Sequence, residues 1–246
     1  MKIIISPAKK MIDHDDFEWY ELPLFLNKTE ILKEKLQKMD ADELADCMKC
    51  NQKIAALNYD RFQRMDLYEG LIPALFAYEG LQYQHMAPSV FTKDELEYAD
   101  KHLVILSGFY GLLRPFDGIR CYRLEMQTRL DINETKSLYD FWKDDLANEL
   151  FHDNDLVLNL ASKEYSLCIE PYLGENRKMI TCIFASLDKG KLKVKGTEAK
   201  MARGEMVRYM ASHQIEDLEE IKNFKYLGYT YDASYSNDKE WVYLKK

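Results

Sequence analysis

Three short apolar runs in this chain end in the same way, and that pattern restricts the fold more than any other feature. IIIS-P-A-K closes at Ser6, VILS-G at Ser107 and LNLA-S-K at Ser162. Apolar runs of this length, bounded by turn signals, are those of strands buried on both faces. Laid parallel in one sheet, they would bring their trailing loops to a shared edge, the crevice where open α/β sheets bind ligands. That edge would gather Ser6, Lys9, Ser107, Gly108, Ser162 and Lys163. Hydroxyls, backbone N–H groups at glycine turns and fixed cations together suit phosphate or a similar oxyanion. Serine also ends strands simply because its hydroxyl caps the next turn, so the pattern alone leaves both readings open.

The second run opens the most unusual stretch, Leu103 to Leu130. After Ser107-Gly108 and a second glycine, Gly111, come Arg114, Arg120, Arg123 and Arg129, offset only by Asp117 and Glu125. The chain as a whole carries a formal charge of −8, so a cationic stretch stands out against an acidic body. A second basic region runs from Lys189 to Arg208, with seven cations against two carboxylates. Such a surface can steer a polyanion locally, and it can equally be a solvated hairpin followed by a helix. Within it Lys200, Arg203 and Gly204 fall on one helical face. A glycine in that position costs a helix about 1 kcal/mol, which implies close approach of a phosphate or of another helix.

The spacing of apolar residues predicts the remaining elements. Asn27-x-x-Glu30, Asp40-x-x-Glu43 and Thr92-x-x-Glu95 have the pattern of capping boxes, Pro73 reads as a first helical turn and Gly80 as that helix's end. Leu138 to Leu150 carries one apolar stripe, and a helix is predicted from about Thr197 to His213. Lys178 to Phe184 and Lys191 to Lys195 flank a hairpin signal at Asp188-Lys189-Gly190, and a closing hairpin is centred on Ser236-Asn237-Asp238. No repeat or linker marks a boundary, so residues 1–246 read as one mixed α/β (α+β) domain: a mixed sheet flanked by helices, with a positively charged cleft.

Several function classes fall away. No apolar stretch approaches the roughly 18 residues of a membrane span and no signal peptide precedes the first strand, so the chain reads as cytoplasmic, with no membrane partner. Five scattered cysteines argue against a disulfide framework. Cys47-x-x-Cys50 lies in a run where Leu44, Cys47, Met48, Asn51 and Ala55 share a helical face, which favours packing over zinc or redox chemistry. The acidic cluster at Asp13-His14-Asp15-Asp16 could hold a metal only if adjacent loop residues converged on one ion. No metal site and no cofactor is assigned. GxSxG, HExxH and P-loop patterns are absent. Glu125, between Arg123 and Arg129, is the first candidate for acid–base work and Glu164 the second, although either can be an arginine's structural partner.

Six segments carry a resemblance. ISPAK (Ile5 to Lys9), LSGFYGLLRPFD (Leu106 to Asp117), YRLEM (Tyr122 to Met126), LYDFW (Leu138 to Trp142), NLASKEY (Asn159 to Tyr165) and AKMARG (Ala199 to Gly204) occur in order along the chain. Together they resemble the YaaA family, the bacterial peroxide stress resistance proteins. The resemblance implies a cytoplasmic protein that protects DNA and proteins during hydrogen peroxide stress by limiting unincorporated iron. It also implies a positively charged cleft and DNA binding through a helix-hairpin-helix element, for which SGFYG (Ser107 to Gly111) is the nearest glycine hairpin here. Two readings follow. One is a monomeric, sequence-independent DNA binder gripping phosphates with Arg114, Arg120, Arg123, Arg129, Lys200 and Arg203. The other is an enzyme acting on a nucleotide-like or other anionic small molecule, with Glu125 or Glu164 as acid or base. An open groove as wide as a duplex would favour the first, and an enclosed pocket of a few hundred Å³ the second.

Overall fold

Ile3, Ile4 and Ile5 are fully buried because the strand they form lies in the middle of the sheet. The computed structural model describes residues 1–13 and 16–245. Among the described residues the main sheet has nine strands: β1 (Lys2–Ile5), β2 (Leu103–Ser107), β3 (Gly111–Leu113), β4 (Leu156–Leu160), β5 (Lys178–Asp188), β6 (Lys191–Lys193), β7 (Lys225–Tyr226), β8 (Tyr229–Tyr231) and β9 (Glu240–Lys245). Their order is β7-β8-β9-β5-β4-β1-β2-β3, with β6 folded back on β5.

The three serine-ended runs are parallel neighbours. β1 lies between β2 and β4, with Ile5 opposite Ile105 on one side and Leu160 on the other. Connections leave β1 toward both sides, which makes its C-terminal end the switch point where such sheets open a crevice. β5 and β9 continue the parallel set, while the β2–β3, β5–β6, β7–β8 and β8–β9 pairs are antiparallel, so the sheet is mixed.

The principal helices are α1 (Leu26–Gln37), α2 (Ala41–Met48), α3 (Gln52–Gln63), α4 (Leu81–Met86), α5 (Lys93–His102) and α6 (Gly196–Ser212). α5 packs on β1 and β2, and α6 packs on β5 and most extensively on α4. Together with the sheet they enclose one continuous hydrophobic core, as expected of a single mixed α/β domain. Reciprocal capping boxes are present at Asp40/Glu43 and Thr92/Glu95.

Local expectations fail where a tertiary contact claims the residue. Asn27 caps nothing: α1 starts after Phe25, whose ring meets Trp142 edge-on at 5.8 Å, and Glu30 accepts instead from the Tyr68 hydroxyl. The cysteine run is two helices, because α2 ends at Met48, Lys49 turns left-handed and Asn51 caps α3. Cys47 and Cys50 are free and half-buried beside the core. Gly80 opens α4 rather than closing a helix, since Tyr78–Glu79 leaves the single turn Ala74–Ala77 to pair with Lys10–Met11. The Leu138–Leu150 stripe is buried as expected, but Lys143 (φ 49°) divides it into Leu138–Trp142 and Asp145–Leu150.

SGFYG is not a helix-hairpin-helix turn. It joins β2 to β3 inside the core, and its Phe109 and Tyr110 N–H groups both donate to the Ser107 hydroxyl, at 3.2 and 2.8 Å. Backbone donors occupied in this way are not free to hold phosphate. Gly108 is required for a different reason. A Cβ there would sit 2.5 Å from the Leu124 carbonyl oxygen, so only glycine lets the Tyr122–Met126 segment cross the end of β2.

Candidate functional site

The crevice at the C-terminal end of β1 holds a cavity of about 340 Å³. Its floor comes from two of the serine loops, joined directly: the Ser162 N–H donates to the Ser6 hydroxyl at 2.8 Å, and the two hydroxyls meet at 3.2 Å. The Tyr122–Met126 segment forms one wall, and α4 with the adjoining face of α6 forms another. Gly204 makes the second wall possible. A Cβ on it would lie 2.1 Å from the Gln82 carbonyl oxygen, so α6 can approach α4 this closely only without a side chain there. Close helix packing, not phosphate contact, thus accounts for this glycine. Its consequence is that Lys200 and Arg203, on the same face, reach the cavity.

Five cations (Lys9, Lys10, Arg123, Lys200 and Arg203) and three carboxylates (Glu79, Glu125 and Glu164) line the space. The carboxylates are already engaged. Glu79 pairs with Lys10 at 2.6 Å. One oxygen of Glu125 takes both Arg123, at 2.8 Å, and Lys9, at 2.9 Å. Glu164 accepts from the Gln127 N–H at 3.3 Å. Burial raises the Glu164 carboxyl above its usual value, and the neighbouring Glu125 charge pushes the same way against the backbone donors and Lys9. Lys200 and Arg203 have no ion-pair partner among the described residues.

Three buried polar atoms around this cavity lack any hydrogen-bond partner: Nε of Arg123, Nε of Arg203 and Oε2 of Glu125. Native proteins leave few such atoms, because an unmade buried hydrogen bond costs about 1–3 kcal/mol and an unpaired buried charge more. Arginine keeps its proton even where burial lowers its affinity for it, as it does at Arg203. All three belong to residues that line the cavity, but the atoms themselves are sealed beneath its surface.

Of the residues singled out in the sequence, the fold brings Ser6, Lys9, Arg123, Glu125, Ser162, Glu164, Lys200 and Arg203 to this cavity. It takes the others elsewhere. Ser107, Gly108 and Gly111 are buried in the β2–β3 hairpin. Arg114 is held by Asp117, Glu21 and the Leu22 carbonyl. Arg120 reaches the Gly70 carbonyl, and Lys163 points to Glu170. Arg129 is exposed and does not line the cavity. The helical stretch thus contributes its cations, while the arginine stretch contributes only Arg123.

Sequence reasoning missed the tyrosine walls. Tyr122 and Tyr165 stood inside quoted motifs without a role, and Tyr83 and Gln82 gave no signal because only the contact of α4 with α6 brings them here. The Tyr122 hydroxyl, pushed up to about 12 by burial, meets Ser107 at 2.5 Å and Tyr78 at 2.8 Å, so the third serine loop supports the wall from behind. Among the described residues no group of three or more His, Cys, Asp and Glu side chains is arranged to hold a metal. The Asp13–Asp16 cluster includes residues 14 and 15, which lie outside the described residues.

Comparison with known proteins matches this architecture along its length. The family model described as "Peroxide stress protein YaaA" matches residues 1–235. A UPF0246 protein of Ligilactobacillus salivarius is 52% identical over 246 residues, covering all of both chains. UPF0246 proteins of Lachnoclostridium phytofermentans and Desulfitobacterium hafniense are 47% and 48% identical over 246 residues, covering all of this chain and 96% and 98% of theirs. No helix here is long and apolar enough to cross a membrane. On a family model spanning nearly the whole chain and relatives similar from end to end, the chain belongs to the YaaA/UPF0246 family.

Proposed function

We propose that this chain is a cytoplasmic peroxide stress protein that works as a monomer, through the cavity at the end of β1, as an enzyme on an anionic small molecule. The observation that carries this reading is a pair of cations without ion-pair partners among the described residues, Lys200 and Arg203, on the wall of a half-open cavity of about 340 Å³. That volume lies in the range of small-ligand pockets and is far too small for a duplex. In this reading Arg203 and Lys200 hold the anion. Glu125, fixed through one oxygen by Arg123 and Lys9, lines the same cavity and orients Arg123. Glu164, with its carboxyl raised by burial, gives or takes the proton. Any effect on unincorporated iron then follows from the reaction rather than from storage.

Glu125→Gln tests the reading, since the change is nearly isosteric and removes the charge. The folded variant is expected to lose peroxide protection in a strain lacking the native gene, while other small anions still stabilise it thermally. Full protection by a stably folded Glu125→Gln protein would return Glu125 to a structural role and remove the support for an enzyme.

DNA binding is the second reading, and a separate feature favours it. Lys189, Lys191, Lys193 and Lys195 are all exposed on or beside the β5–β6 hairpin, outside the cavity. A phosphate grip there would be independent of base sequence.

A further inference from the structure

Resting on the small-anion reading above, the cavity's unpaired groups define the ligand more narrowly. Its charges are divided unevenly. All three carboxylates are taken up by Lys9, Lys10, Arg123 or backbone N–H groups, which leaves Arg203 and Lys200 without counter-charge. These two are one helical turn apart on the same face of α6, so their charges converge on one region of the cavity. Burial opposes the Arg203 charge, and among the described residues no carboxylate pairs with it. A single carboxylate would answer one of these cations; a phosphate monoester, close to doubly charged at neutral pH, answers both. A planar guanidinium also suits two-pronged contact with phosphate oxygens, which an ammonium cannot give.

The remaining features describe the rest of the ligand. Tyr83, Tyr122 and Tyr165, with Leu81 and Leu124, supply aromatic and apolar wall. Such walls favour a flat ring, which stacks on aromatic faces, over an open-chain sugar phosphate, which needs many polar partners. We infer that the cavity binds a phosphorylated small molecule bearing a planar heteroaromatic ring, of the nucleoside monophosphate class, with phosphate on Arg203 and Lys200 and the ring against the tyrosine and leucine wall.

Isothermal titration of the full chain tests this, with purine and pyrimidine nucleoside 5′-monophosphates, the matching nucleosides, inorganic phosphate and citrate as probes. At least one monophosphate is expected to bind about tenfold or more tighter than its nucleoside, the worth of one or two charge-assisted hydrogen bonds. Arg203→Gln should abolish that margin and leave nucleoside affinity unchanged. Lys200 is exposed at the rim, so Lys200→Ala will fold even if the buried Arg203 variant does not, and it should reduce the same margin. Equal affinity for monophosphate and nucleoside would overturn the phosphate assignment. Binding of citrate or inorganic phosphate with none of the monophosphates would overturn the ligand class while leaving an anion cavity in place. Failure of every anion to bind would remove the cavity reading itself.

Discussion

Arginines that look alike in the sequence meet opposite fates in the fold. Arg114 sits against a buried carboxylate: its Nε donates to Asp117 at 2.8 Å, and its backbone N–H donates to the other Asp117 oxygen at 2.8 Å. Arg203 has no such partner among the described residues and lines the cavity. Asp117 shows what burial costs even a well-partnered charge. Desolvation raises its carboxyl from 3.8 to about 6, outweighing the pull of Arg114. Between those values the folded chain holds a proton that the unfolded chain has released. Asp117 therefore makes stability fall as pH rises through the window from about 4 to 6, and adds no slope above it. Urea unfolding of the native protein and Asp117→Asn between about pH 4 and 7 should show the native protein losing on the order of 2 kcal/mol relative to the variant across that window. Parallel curves would mean that Arg114 keeps the carboxylate ionised throughout.

At the scale of elements, the α4–α6 contact sets the shape of the site. Gly204 is buried against the Gln82 carbonyl and the Met86 N–H. Helix propensity alone predicts that Gly204→Ala gains about 1 kcal/mol. The contact predicts the reverse, because a Cβ 2.1 Å from a carbonyl oxygen forces the helices apart. Overpacking of this kind costs about 1–3 kcal/mol, so the variant should melt below the native protein. Since the same displacement moves Arg203, it should also lose its response to anionic ligands. A variant that melts higher, as propensity demands, would show that α6 can shift freely and that the cavity wall is soft. The β5–β6 hairpin behaves differently. Its turn at Lys189-Gly190 takes positive φ at both residues, as Asp-Lys-Gly predicts, and it leaves Leu192 and Val194 exposed beside the lysines.

Across the whole molecule, a formal charge of −8 coexists with two local cationic features that the fold keeps apart. One is inside the cavity and the other is on the exposed hairpin. They make separable predictions for nucleic acid. If the hairpin grips phosphates, fluorescence anisotropy with a labelled duplex should show sequence-independent binding that falls steeply with salt. Lys191→Glu should weaken that binding, whereas Arg203→Gln, inside the cavity, should not. No binding even at low salt would reject DNA as a partner. Weakening by Arg203→Gln alone would place the grip at the cavity mouth instead.

The strands and the loops after them were legible in the sequence because their information is local. A run of isoleucines is buried wherever it lies, a serine before a proline or glycine ends it, and Asp40/Glu43 and Thr92/Glu95 close capping boxes within three residues. The parallel arrangement of β1, β2 and β4 and the gathering of Ser6, Lys9 and Ser162 followed from that pattern and the geometry of open sheets, whereas Ser107, Gly108 and Lys163, expected at the same edge, do not line the cavity. What tertiary structure alone decided is which charges are spent. Arg114 and Arg203 carry the same group, and Glu21 lies 93 residues from the arginine it neutralises. Asp117, three residues on, is a local partner for Arg114, but Arg203 also has carboxylates close by in sequence, Glu198 and Glu205, and pairs with neither. The same holds for Gly204, whose carbonyl neighbour belongs to a helix more than a hundred residues earlier, and for Tyr83, which reaches the site only through that contact. Composition and spacing determine which elements form and where the crevice opens. Pairing across long sequence separations determines which cations line it without a carboxylate of their own.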